Sequence, residues 1–370
     1  GFGEQLAAWQ ASQALYGRDS LGSDPDWCRG IEAVYPGSLR WVRLGHGVET
    51  VLVPWLLRRR EMDCRLGEWA WWRFHPRLVQ PAGDVQSIPA DPDLYATLFS
   101  VLQTQGDTWD VMHLDIPTAS PLWKWLQAGQ AEKLGLHVYR PGPPTPRFLL
   151  EFPASFTAYA AKFTAKTRKN REREVRHLEQ HGRLELRCYR AMQEVDAFLD
   201  EAGAVSQQTY QHKLLKTGLR EAARLRPRLQ LAAAKGWLRS YVLSCGGEAC
   251  AYMLGYQYRG RYYYTTIGYH PRWAPLSAGT VLHWLVLQDM FAHEPPRIFD
   301  FGTCKTQKRY FSNCEYKEVS VYLFRRGIYP WLVRTGHGSS LRASRSVVHW
   351  LARHNLKPAA QRWVRRFRGC

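Results

Sequence analysis

Residues 260–302 constrain this chain more than any other stretch. Arg261-Tyr262-Tyr263-Tyr264-Thr265-Thr266-Ile267-Gly268-Tyr269 is rich in aromatic and β-branched residues and predicts a strand. A turn, Arg272-Trp273-Ala274-Pro275-Leu276, leads into Ser277-Ala278-Gly279-Thr280. Residues 281–291 are almost wholly apolar and predict a buried helix. Arg297-Ile298-Phe299-Asp300-Phe301-Gly302 then predicts a short strand. A strand, a loop of small residues, a helix and a second strand can hold an anion at the helix start. There the backbone N–H groups lack acceptors and the helix dipole is positive. The hydroxyls of Ser277 and Thr280 can cap the helix, Gly279 admits close approach, and Arg272 adds positive charge. An ordinary helix cap uses the same residues, so the context has to decide.

That context is a chain of alternating strands and helices. Strands are predicted at 39–44, 50–57, 65–74, 109–116, 136–139, 147–152, 183–189, 236–244, 248–258 and 317–325. Helices are predicted near the start of the chain, where Gly17 and Gly22 break the pattern, and at 91–105, 120–134, 155–181, 191–217 and 219–235. A strand-turn-strand, helix, strand order occurs twice, once from Leu39 and once from Leu238, which suggests a duplication. The first half has no counterpart of the 277–280 loop. The predicted division is 1–150, a connecting basic helix at 151–182, 183–334 and a tail at 335–370.

The 370 residues carry a formal charge of +19, unevenly placed. Residues 162–176 hold seven Lys or Arg against two Glu, and residues 334–370 hold nine with no acid. Such blocks suit polyanionic partners or an anionic membrane surface, and they also occur as plain solvated faces. The tail interleaves Val347, Val348, Trp350, Leu351 and Trp363 with arginines, a basic amphipathic pattern that either touches a membrane or docks on the protein. No apolar run reaches the roughly 18 residues that span a bilayer, and no leader is evident. The eight cysteines have no C-x-x-C spacing and no accompanying histidines, so reduced thiols in a cytoplasmic protein are expected, with no metal.

Three elements carry a resemblance. They are Lys166-Thr167-Arg168-Lys169-Asn170, the run from Tyr269 to Ser277-Ala278-Gly279-Thr280, and Phe299-Asp300-Phe301-Gly302 with Lys308-Arg309-Tyr310-Phe311. In these the chain resembles the GNAT superfamily of N-acyltransferases, in its bacterial CelD-like and Fem-like tandem branch. The family commonly has Pro where Ala278 stands. The resemblance implies an α+β protein of two tandem GNAT-like domains, each a mixed, mainly antiparallel sheet flanked by helices. It implies acyl-CoA as co-substrate, with an amine of a small molecule or peptide as acceptor. Aminoacyl-tRNA is the alternative donor of Fem-like relatives. A non-catalytic polyanion- or membrane-binding protein on the same scaffold is the third reading.

The resemblance also implies roles. Tyr264, Thr265, Thr266 and Ile267 would lie where the strand splays and offers N–H groups to the donor; Ser277, Ala278, Gly279 and Thr280 would take its pyrophosphate, with Arg272 nearby. Asp300, desolvated by Phe299 and Phe301, is the candidate proton acceptor or acceptor-amine anchor, and Tyr310 and Tyr264 are candidate acids for the leaving thiolate. Lys308 and Arg309 would bind a charged substrate group. Lys166 and Lys169 share a helix face that suits a polyanion. Ser206, Thr209 and Tyr210 match an element lining the acceptor side. His283 reads as a core or donor-contacting residue, and Cys304 as a weak nucleophile candidate.

Overall fold

A computed structural model describes residues 20–44, 51–67, 69–83, 91–104, 109–209, 219, 222–303 and 307–354. In chain order the elements are α1 (Pro25–Val34), β1 (Leu39–Leu44), β2 (Val51–Arg59), β3 (Met62–Leu66), β4 (Trp69–Phe74), β5 (Arg77–Pro81), α2 (Pro92–Thr104) and β6 (Val111–Pro117). Next come α3 (Pro121–Gln127), α4 (Gln130–Lys133), β7 (His137–Tyr139), β8 (Thr145–Glu151), α5 (Phe156–Ala160), α6 (Ala165–Glu179), β9 (Leu184–Tyr189) and α7 (Val195–Gln208). The last group is α8 (Ala222–Ala234), β10 (Ser240–Cys245), β11 (Glu248–Tyr258), β12 (Arg261–Tyr269), α9 (Ala278–Ala292), β13 (Ile298–Thr303), β14 (Cys314–Phe324) and α10 (Ile328–Arg353).

The chain forms two compact units, each drawn from separate stretches. One comprises Gly1–Arg18, Gly37–Pro144 and Lys317–Cys370; the other comprises Asp19–Pro36 and Thr145–Tyr316. Each is a mainly antiparallel sheet flanked by helices, and the two repeat one plan. In the first unit β1, β2 and β5 are antiparallel neighbours, and β6 returns through α2 to lie parallel to β5. In the second β10, β11 and β12 are antiparallel, and β13 returns through α9 to lie parallel to β12. Each plan is completed from the other half of the sequence. β14 pairs with β6, and β8 pairs with β13. This exchange differs from the contiguous division at 150/151 and 334/335 read from sequence. Pattern identifies a strand, but only pairing assigns it to a sheet.

Local differences have local causes. The strand expected at 65–74 is a hairpin, β3 and β4, turned at Gly67 (φ 62). The helix expected at 120–134 is two helices, because Gly129 takes φ 72. The single helix expected from Ser155 to His181 is also two. Ser155 caps α5 (Oγ to Ala158 N, 3.1 Å), and Thr164 caps α6 anew (Oγ1 to Thr167 N, 3.2 Å). Helix α1 lies just beyond the break expected at Gly17 and Gly22. Its signal is Asp24-Pro25: the Asp24 carboxylate accepts from Asp26 N and Trp27 N, and Pro25 sits at the first helical position. The helix expected at the very start of the chain lies largely outside the described residues.

The second unit has two packed faces. On one, α5, α6 and α9 bury Phe163, Leu178, Trp284, Val286, Leu287 and Met290 against Tyr241, Met253, Tyr262, Phe299 and Phe301. Helix α9 is apolar nearly all round, as a helix packed on several sides must be. On the other face α7 packs on β10, β11 and β12, with α8 beside α7 and α1 beside α8. In the first unit α10 runs beside β3, so this part of the basic tail docks on the protein. Residues 355–370 lie outside the described residues. Among the described residues no helix is long and apolar enough to cross a membrane.

Candidate functional site

The site is built where β12 and β13 part. Their parallel register runs Arg261↔Ile298, Tyr262↔Phe299, Tyr263↔Asp300 and ends there. β12 continues to Tyr269, still paired with β11 on its other side, and β13 continues to Thr303, paired with β8. A register shift between Leu254 and Gly255 makes Thr265 an extra, bulged residue at the start of the parted segment. Thr265 is exposed, while Tyr264, Thr266 and Ile267 are half-buried. From its free end β12 leads through a 3-10 turn, Pro271–Leu276, into α9.

The start of α9 is open. Ser277 takes a left-handed conformation (φ 57, ψ 31) and caps through its carbonyl, which accepts from Thr280 N (2.8 Å) and Val281 N (3.0 Å). Its hydroxyl makes no capping bond, contrary to the sequence expectation, because that backbone conformation replaces the extended one a side-chain cap needs. The N–H groups of Ala278 and Gly279 have no acceptor among the described residues, and no acid lies in the first turn. This end suits an anion. A Cβ on Gly279 would lie 2.9 Å from the Tyr269 ring, so only glycine fits without moving that ring. Arg272 is exposed and paired with Glu248 (2.9 Å).

Beside the parting lies a box of rings. Tyr264 stacks on His283 (5.5 Å between centroids), His283 stacks on Phe311 (5.1 Å), and Phe301 lies 6.2 Å from each of Tyr264 and His283. Lys308 places its Nζ 4.3 Å from the Tyr264 ring centre and donates to the Phe301 carbonyl. At the rim Tyr310 stacks on Phe163 (5.1 Å) under the Arg171 guanidinium (5.0 Å). Arg309 is exposed and reaches Glu315 at 3.8 Å.

His283, read from sequence as a core or donor-contacting residue, stands within this box. Its Nδ1 lies 3.1 Å from the Gly279 carbonyl, which can only accept, so Nδ1 carries the hydrogen and Nε2 is the lone pair. That Nε2 is buried with no hydrogen-bond partner among the described residues. Burial, assisted by the nearby Lys308 charge, pushes the imidazole down to about 4, so it is neutral at pH 7. A buried acceptor left unpaired costs about 1–3 kcal/mol, which a ligand N–H or O–H would recover.

Asp300 does not have the surroundings expected of it. Phe299 and Phe301 pack on the α9 side of β13, and Asp300 points away from them by strand alternation. Its carboxylate is held by Arg147 (Nε to Oδ1 3.0 Å, Nη2 to Oδ2 2.7 Å) and by Gly302 N (2.8 Å), with Arg261 3.7 Å away. A buried carboxylate so engaged is an anchor, and the proton-acceptor role is withdrawn. Nothing in the sequence near Arg147 marked it, because its partner is 153 residues away.

Other expected site residues lie elsewhere. Ser206 and Thr209 are buried, the first accepting from Leu219 N (3.0 Å) and the second donating to the Ser206 carbonyl (2.8 Å). They fasten the chain leaving α7 and line no open surface. Tyr210 and Cys304 lie outside the described residues. Lys166 and Lys169 are exposed on α6, whereas Arg168 turns back to the Phe163 carbonyl (2.6 Å) and Arg171 covers Tyr310. Among the described residues no cluster of His, Cys, Asp or Glu could hold a metal.

Residues 165–318 match the family described as acetyltransferase (GNAT) domain. The fold is similar to that of FemX, at 7% identity and TM-score 0.53, over 81% of this chain and 91% of that one. It is also similar to the C-terminal domain of a protein described as a lysylphosphatidylglycerol synthetase from Agrobacterium fabrum (12% identity, TM-score 0.51, 94% of this chain and 97% of that one). A conserved protein of unknown function from Bacteroides thetaiotaomicron is a third (11% identity, TM-score 0.51, 86% and 97%). At these identities the likeness is one of fold. No curated protein sequence matches the chain.

Proposed function

From the premise that this chain carries a GNAT-superfamily domain at residues 165–318, we propose that its second unit is an N-acyltransferase using an acyl-CoA donor. The observation that carries the reading is the parting of β12 from β13 at Tyr263 and Asp300, next to an α9 start with open N–H groups. The donor's pyrophosphate binds Ala278 and Gly279 N–H, and its pantetheine arm pairs with the edge of β12 from Tyr264 to Ile267. His283 Nε2 accepts a hydrogen bond from an amide of that arm. The acceptor amine reacts as the free base at the thioester carbonyl. A C–N bond forms, the C–S bond breaks, the Tyr310 hydroxyl gives its proton to the leaving thiolate, and the tyrosinate so formed takes back the proton that the acylated nitrogen loses. Asp300 holds Arg147 and Arg261 in place at the parting and is a positioning residue.

Calorimetric titration of the full chain tests the donor. CoA and acetyl-CoA are expected to bind with one site, and Gly279→Val is expected to weaken binding by about tenfold or more. Retention of charged tRNA at physiological salt, with no binding of CoA, would replace this donor with aminoacyl-tRNA.

A further inference from the structure

We propose that the β3–β4 hairpin and helix α10 of the first unit form a docking surface for an anionic lipid bilayer. The hairpin turns three tryptophans to solvent, with Trp69 65%, Trp71 54% and Trp72 55% exposed, and Leu66 is 39% exposed beside them. A register shift between Cys64 and Arg65 leaves Trp71 as the extra residue of β4. On α10 Ile328, Trp331, Leu332, Val347, Val348 and Trp350 are exposed as well. Monomeric proteins rarely leave so many large apolar side chains in water without a use for them.

The two elements form one piece. Ser340 Oγ donates to the Arg65 carbonyl and Ser344 Oγ accepts from Gly67 N, both at 2.8 Å. Phe74 lies against Gly336, where a Cβ would come within 2.9 Å of the ring. The helix carries Arg334, Arg342, Arg345 and Arg353 and no acid. On the hairpin Arg65 and Arg73 pair with Asp63. The excess charge of the surface is therefore positive and belongs to the helix.

This chemistry selects the occupant. Tryptophan prefers the boundary between headgroups and acyl chains, where its ring is covered and its N–H stays wet. Arginines on the adjoining helix are drawn to anionic headgroups, though Arg345 also donates to the Pro141 carbonyl. A nucleic acid would use the arginines and leave the hairpin tryptophans idle unless it were single-stranded. The inference is independent of the donor assignment, since it concerns the first unit alone.

The test is cosedimentation of the full chain with vesicles of phosphatidylcholine alone, or of phosphatidylcholine mixed with phosphatidylglycerol. The chain is expected to bind the mixed vesicles with a blue shift in tryptophan emission and to leave the neutral ones in solution. The triple variant Trp69→Ala, Trp71→Ala, Trp72→Ala is expected to lose about tenfold or more in vesicle binding while its thermal unfolding is unchanged. A second variant, Arg342→Ala with Arg353→Ala, is expected to bind less tightly and with a weaker dependence on salt. Failure to bind either vesicle, or undiminished binding by the triple variant, overturns the proposal. So does competition by single-stranded RNA that removes the chain from vesicles through the same tryptophans.

Discussion

At the scale of single residues, His283 brings an unpaired acceptor to the parted strands, and Asp300 fixes the guanidinium of Arg147 there. His283 stands in an apolar helix and looks like core, yet its buried Nε2 has no partner among the described residues. Its imidazole is lowered from 6.5 to about 4, so the unfolded chain takes up a proton in that range and the folded chain does not. The stability it contributes is complete above pH 6.5 and is lost as pH falls toward 4, by about 3 kcal/mol. His283→Phe is expected to flatten that part of the stability–pH curve in urea melts at stepped pH, and to weaken CoA binding. Asp300, flanked by phenylalanines in sequence, is held by Arg147 and Gly302 N. Asp300→Asn is expected to lower stability by about 2–4 kcal/mol, since it leaves a guanidinium without its buried counter-charge. It should leave the pH dependence of kcat/KM in place, whereas loss of the rate's acidic limb would restore Asp300 as the base. Tyr310→Phe is expected to lower kcat by roughly 100-fold with KM little changed, as for an acid that acts only on the leaving group.

At the scale of elements, α9 is fixed at both ends by different means. At its C-terminal end Arg239, 1% exposed, donates to the carbonyls of His293 (2.6 Å) and Glu294 (2.8 Å), to Gln257 (2.6 Å) and to the Tyr241 hydroxyl (2.6 Å). Asp289 completes this knot by accepting from Tyr241 (2.8 Å) and lying 3.3 Å from the guanidinium. Removing one member strands the others, so Arg239→Ala is expected to cost about 3–5 kcal/mol in denaturant unfolding. A loss under about 1 kcal/mol would show that the knot does not hold the helix. Most of α9, β11 and β12 was legible in the sequence, because periodicity and apolar runs report burial directly. The break between α5 and α6 was not. Charged residues run through 162–176, and the new start depends on Thr164 capping and on Phe163 being buried, a tertiary fact. The knot was illegible for the same reason: Arg239, Gln257, Asp289 and Glu294 are separate in sequence and meet only through packing.

At the scale of the whole chain, the duplication read from two hairpins is present as two repeats of one plan. What sequence order concealed is the exchange of β8 and β14. A strand's pattern says that it is paired and half-buried, but carries no address. The parted strands and the open helix end follow from the order of elements in 260–302, while the ring box needs Phe311, and its rim needs Phe163 and Arg171, from elsewhere. The exchange makes a prediction about fragments. A fragment of residues 151–334, the connecting helix and the second domain read from sequence taken together, lacks all but Glu151 of β8 and leaves β13 without its antiparallel neighbour. It is expected to melt without a cooperative transition in circular dichroism, whereas the full chain melts cooperatively; a sharp transition in the fragment would show that β8 is dispensable.

The central claim is that the donor lies along β12 and ends at the start of α9. Hydrogen–deuterium exchange with and without CoA reads this directly. The claim predicts that CoA slows exchange at the amides of residues 264–267 and 278–280 and leaves β1, β2 and β5 of the first unit unchanged. Slowing confined to α6, or no change at either stretch at a saturating CoA concentration, would contradict it.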